Sequence, residues 1–184
     1  MMKIVRIFLI FISFMCLAWA AKDSKNTESW RNIKSLSADF KQEIKGERGA
    51  VSAIYSGKVY AADNKVKWEY TKPLPKEVYL QKDVAYVYEP NIKQVTIGTL
   101  SENVDFISIL RQVTKIAENS YKTQIGEITY YLAIKDSKPY ALKYKDNLEN
   151  DISIIFSNVV LNAKIEPEVF IFNPPDDVEY IDAN

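Results

Sequence analysis

The chain has 184 residues, with 24 basic and 24 acidic side chains, one cysteine and no histidine. The missing histidine excludes His-based triads, histidine general bases and histidine–carboxylate zinc sites. The balanced and scattered charges speak against a nucleic-acid partner.

Lys3 and Arg6 precede an apolar run, Ile7 to Leu17, broken only by Ser13 and followed by Ala18-Trp19-Ala20. A charged start, a short apolar stretch and a small-x-small site form the layout of a cleaved secretory signal. The run falls short of the roughly 20 apolar residues that span a bilayer. Residues 1–20 are therefore expected to be a signal peptide, and residues 21–184 a single exported domain. Cys16 follows the bulky pair Phe14-Met15, not the small residue that precedes a lipidated cysteine. It is expected to leave with the signal, so the mature chain has no disulfide and depends on its core.

Trp30, Ile33 and Leu36 recur at helical spacing and predict a short helix over Asn26–Lys34. Strands follow in quick succession: Phe40–Ile44, Val51–Tyr60, Lys65–Tyr70, Glu77–Gln81, Val84–Tyr88 and Lys93–Thr99. Gly57, inside the second, predicts a bulge or sharp bend. Asp63-Asn64, Lys82-Asp83 and Pro90-Asn91 mark turns, and Pro73-Leu74-Pro75 a break. Phe106, Ile107, Leu110 and Val113 make an apolar stripe and predict a helix. The stretch from Lys115 to Ser120 has no clear pattern. Strands resume at Lys122–Ile125, Ile128–Lys135, Tyr140–Lys145 and Ile152–Asn158, and a last one is predicted at Val169–Phe172 before Pro174-Pro175.

Ten or eleven antiparallel strands with two or three short helices suit one large curved sheet with helices over its concave face, a mainly β (α+β) fold. Val66, Trp68 and Tyr70 share one side of their strand, with Lys65, Lys67 and Glu69 on the other. Val78, Leu80, Tyr86 and Tyr88 are placed with them on the inner side. Twelve tyrosines and three tryptophans combine apolar bodies with polar tips, which suits a cavity that is alternately wet and filled.

Six segments then occur in a familiar order. They are Ile33 to Gln42, Ser56-Gly57-Lys58-Val59-Tyr60, Val66-Lys67-Trp68-Glu69-Tyr70 with Lys72-Pro73, Val84 to Pro90 followed by Lys93-Gln94-Val95, Ile154 to Asn158, and Phe170 to Pro175. Together they resemble the LolA family of periplasmic outer-membrane lipoprotein carriers. The resemblance implies an incomplete antiparallel β-barrel closed by a helical lid. It implies that Val66 and Trp68 fall on acyl-chain cavity positions and Phe106 to Leu110 on the lid helix. The strand faces add Tyr70, Val78, Leu80, Tyr86 and Tyr88 to the expected cavity, and the apolar stripe Phe106, Ile107, Leu110 and Val113 forms the expected lid. The resemblance also implies a non-enzymatic, monomeric chaperone in the periplasm. Such a carrier takes triacylated lipoproteins from an inner-membrane ABC transporter and gives them to an outer-membrane acceptor, with no cofactor, metal or nucleic acid. One departure stands out: the arginine that latches the lid in relatives is replaced by Ala62, with Lys58 and Lys65 as the nearest cations.

Other classes fit less well. Asp39 and Glu43 share a strand face but lack further catalytic context. A periplasmic binding protein or sensor for another lipid on the same fold is the main alternative, since fold alone does not decide function.

Overall fold

The computed structural model describes residues 32–46, 49–99 and 106–183. The expected signal segment and most of the expected helix Asn26–Lys34 lie outside them. Ile33 and Lys34, at the described end of that helix, run non-helically into the first strand.

Twelve strands form one sheet. The first six are β1 (Ser35–Lys45), β2 (Val51–Ala62), β3 (Lys65–Lys72), β4 (Lys76–Gln81), β5 (Val84–Glu89) and β6 (Gln94–Thr99). A single described α-helix, α1 (Phe106–Gln112), separates them from β7 (Thr114–Ala117), β8 (Ser120–Ile125), β9 (Ile128–Lys135), β10 (Lys138–Lys145), β11 (Asp151–Leu161) and β12 (Glu179–Asp182). The sheet runs β12-β6-β5-β4-β3-β2-β1-β11-β10-β9-β8-β7. Its edges, β12 and β7, do not pair with each other, so the barrel is incomplete.

Two-residue turns set most of the register. Asp63-Asn64, Lys82-Asp83 and Gly126-Glu127 each connect strands whose flanking residues pair directly: Ala62 with Lys65, Gln81 with Val84, Ile125 with Ile128. Asp63, Lys82 and Gly126 have positive φ, the conformation a tight hairpin needs in order to follow the twist of its strands. β1 lies at the centre, between β2 and β11. Along it Leu36, Ala38 and Phe40 are buried on alternate positions, the pattern of a strand with one face on the core.

The bulge predicted at Gly57 is present. The β2–β3 register shifts between Ser56 and Gly57. A Cβ at Gly57 would lie 1.9 Å from the Glu69 carbonyl oxygen, so only glycine lets the two strands approach there.

β4 and β9 lie six strand positions apart, about 29 Å on a flat sheet. Both nevertheless line one cavity, so the sheet curls. Its inner face carries the main core, which includes Leu36, Phe40, Val59, Leu132 and Phe156. Helix α1 packs inside the curl, with Phe106, Ile107, Ile109 and Leu110 buried. Val113 follows the helix rather than belonging to it, but is buried as well.

One strand expectation needs correction, and two strands were not expected. Val169–Phe172 is not a strand: Pro167–Phe170 forms a 3-10 turn. Pro167 starts that turn, and the apolar side chains after it pack across the sheet instead of pairing within it. The unclear stretch after Lys115 contributes to β7, and the chain ends in β12, which pairs in parallel with β6. All residues of β7 and β12 are exposed, so neither carries the alternating burial that marks a strand in sequence.

Candidate functional site

Inside the curl lies a cavity of about 620 Å³. Val66, Trp68 and Tyr70 reach it from β3, and Val78 and Leu80 from β4. Phe106 and Ile109 of α1 form another wall, and Tyr130, Leu142 and Ile154 close the far side. Alternation on paired strands brings these residues together: Trp68 faces Val78, and Val66 faces Leu80. Trp68, Tyr70, Val78 and Leu80 are only half-buried, because one side of each borders open space.

An aromatic chain joins wall to lid. The Phe40 ring meets Trp68 at 4.9 Å and Tyr70 at 5.1 Å, both edge-on. Trp68 faces Phe106 at 6.3 Å, and Phe106 meets Phe156 at 5.3 Å. These offset geometries are the ones aromatic quadrupoles favour. The rim is polar: Gly126 and Glu127 belong to the β8–β9 turn and Asn147 to the β10–β11 turn. Near this end the Lys76 ammonium rests 4.5 Å from the Tyr70 ring centre and 5.3 Å from that of Tyr55.

Tyr86 and Tyr88 do not belong to this cavity. The Lys82-Asp83 hairpin pairs Tyr79 with Tyr86 and Leu80 with Ala85. Ala85 and Val87 therefore share the face of Leu80 and Val78, while Tyr86 and Tyr88 point outward. Tyr86 stacks on Phe172 at 4.7 Å, and Gln81 Nε2 donates to the Phe170 carbonyl at 2.6 Å. The segment expected to be the last strand is thus a strap over the outer face. Among the lid residues, Phe106 borders the cavity, whereas Ile107, Leu110 and Val113 are embedded in the core.

Several cavity residues are missing from the sequence reading: Gln42, Ile109, Leu142, Tyr144 and Ile154. The pairing Gln42–Ile154–Leu142 across β1, β11 and β10 puts three of them in one row. Alternation alone gives each strand two faces, and only pairing order shows which faces meet.

The lid is tethered by a guanidinium that it carries itself. Arg111 Nη2 donates to the Ile33 carbonyl at 2.7 Å, tying the end of α1 to the segment before β1. Lys58 and Lys65, the cations nearest the Ala62 position, are exposed. Asp39 and Glu43 also have simple partners: Asn158 Nδ2 donates to Asp39 at 2.6 Å, and Glu43 pairs with Lys45 at 3.1 Å. Among the described residues, no group of three or more Asp, Glu, His or Cys is arranged to hold a metal.

Comparison with known proteins agrees with this arrangement. The family model of the outer membrane lipoprotein carrier protein LolA matches residues 31–124, half of the chain. An outer-membrane lipoprotein carrier protein of Helicobacter pylori strain J99 is 44% identical over 155 residues, covering 84% of this chain and 83% of that one. One from Helicobacter hepaticus is 32% identical over 188 residues, covering 100% and 99%. Among solved structures, an uncharacterized conserved protein from Thermus thermophilus superposes with a TM-score of 0.50 at 11% identity, over 85% of this chain and 94% of that one, a likeness of fold alone. Relatives of this identity and coverage, with the matching family model, place the chain in the LolA family of outer-membrane lipoprotein carrier proteins.

Proposed function

We propose that the protein is a monomeric periplasmic chaperone. Residues 1–20 direct export, and residues 21–184 form one carrier domain. The cavity shelters the acyl chains of triacylated lipoproteins, which it receives from an inner-membrane ABC transporter and delivers to an outer-membrane acceptor. No catalytic step, cofactor or metal is involved.

The observation that carries this reading is a largely apolar cavity walled in part by the described helix α1. An acyl chain in water costs about 0.8 kcal/mol per exposed CH₂. By the scale on which about 150 Å³ houses a benzene ring, 620 Å³ houses roughly 25 carbons. That is less than two chains of myristoyl length, so three chains require α1 to move outward. The four buried side chains of α1 hold it in place with about 2 kcal/mol each. About ten cargo methylenes therefore offset its release. Lid and cargo compete for the same surface, so the lid's contacts offset part of the cargo's and ease unloading.

Photo-crosslinking in the native host tests the reading. A crosslinker at Leu80, inside, is expected to trap triacylated lipoproteins, and one at Tyr86, outside, is expected not to. Capture of another lipid at Leu80, without lipoproteins, contradicts the carrier role and favours a lipid sensor.

A further inference from the structure

The cavity is apolar in its depth but not at its mouth. Gln42 projects inward from β1, Tyr70 from β3 and Tyr144 from β10, all near the end where the Glu127 and Asn147 turns form the rim. The Tyr70 hydroxyl donates to Gln42 Oε1 at 3.1 Å. This leaves the Gln42 amide protons without an acceptor among the described residues. Turning the amide over would free the Tyr70 proton instead, so the pair keeps a spare donor either way. The Tyr144 hydroxyl also has no hydrogen-bond partner among the described residues, while its ring packs against Tyr130 at 5.0 Å. Burial pushes the Tyr70 phenol up to about 12 and raises that of Tyr144 too. Both stay protonated and neutral across the physiological range.

These spare donors have a consequence once hydrocarbon enters and expels water. A bare alkyl chain would leave them unsatisfied, at a cost comparable to a lost hydrogen bond each. An acyl ester or amide carbonyl has only acceptor lone pairs to offer, which complements them. The arrangement also has the polarity of an amphiphile, with donors at the mouth and apolar walls beneath.

The geometry points to a carbonyl-binding subsite: Gln42, Tyr70 and Tyr144 hold the acyl carbonyl oxygens of the cargo's lipidated cysteine, so the cavity selects acyl esters over plain alkyl chains. This rests on the carrier reading and specifies how the head of the cargo is held.

Binding of a synthetic triacylated lipopeptide tests it, alongside an analogue with its two ester-linked chains replaced by ether-linked chains of equal length. The ester form is expected to bind about five- to tenfold more tightly, the worth of one hydrogen bond. Tyr144→Phe and Gln42→Leu are each expected to reduce that ratio towards one. Equal binding of both forms by the wild-type protein overturns the subsite while the carrier reading stands. Failure to bind either form removes the carrier reading and the subsite with it. A diacyl phospholipid of the same chain length carries the same esters, and it is expected to bind more weakly than the lipopeptide. Equal or tighter phospholipid binding overturns the assignment of the subsite to lipoprotein cargo.

Discussion

Trp68 sits where the cavity wall meets the lid, between Phe40 and Phe106. A carboxylate at that position would face either the lid or incoming hydrocarbon without a partner, and burying an unpaired charge is costly. Trp68→Glu is expected to lower lipopeptide loading at least about tenfold with an unchanged far-ultraviolet circular dichroism spectrum. Unchanged loading would mean that this face does not contact cargo. Gly57 matters for a different reason. An added methyl cannot fit against the Glu69 carbonyl, so Gly57→Ala is expected to cost about 3 kcal/mol in denaturant unfolding, at the upper end of overpacking. Tyr70 gives a pH dependence. Its folded pKa is raised to about 12 from the ordinary 10.0, so the unfolded chain loses this proton first. The resulting contribution is fully present below about pH 10 and is lost as pH rises through about 12. Denaturant midpoints are expected to be flat near neutrality and to fall above about pH 10, and Tyr70→Phe is expected to reduce that fall.

Among the elements, α1 is the one that the proposed function requires to move. Its Arg111 tether is a charged donor on a backbone carbonyl, a class of bond worth about 1.5–3 kcal/mol. Arg111→Ala is expected to speed amide hydrogen exchange in α1 by about tenfold or more without changing exchange in β1 and β11. Uniform acceleration across the sheet would instead identify Arg111 as a general stabiliser. At the sheet edge, β12 covers β6, and Lys93 pairs with Asp177 just before it. Removing residues 176–184 leaves a row of unpaired donors and acceptors on β6, the setting for strand-to-strand association. Size-exclusion chromatography is expected to show self-association of the truncated chain. Sequence legibility follows from the same physics. Hairpins such as Lys65–Gln81 could be read because turn residues and one-sided burial act within a few residues. Tyr86 and Tyr88 were misplaced because large aromatic rings suggest an inner face, whereas the two-residue turn at Lys82-Asp83 sets pairing parity and sends them outward. The strap at Phe170–Phe172 has the apolar content of a strand, but its partners, Tyr79 and Tyr86, are far away in sequence. The exposed edges β7 and β12 carry no burial signal at all.

For the whole molecule, the open sheet, the cavity and the inward helix form one device. A closed barrel of this strand number would fix its interior volume. An open edge leaves the curl free of that constraint, which suits the proposed cargo, larger than the resting cavity. The β3 and β4 side of the cavity wall was legible from alternation. The polar mouth was not, since Gln42 and Tyr144 meet only when β1, β11 and β10 assemble in order. The most direct measurement adds the purified mature protein to spheroplasts of its native host and examines the released soluble fraction by native mass spectrometry. Triacylated lipoproteins in one-to-one complex with the protein are the expected result, and they are expected to be absent with Trp68→Glu. A folded protein that releases no lipoprotein from spheroplasts with an active transporter would contradict the carrier account.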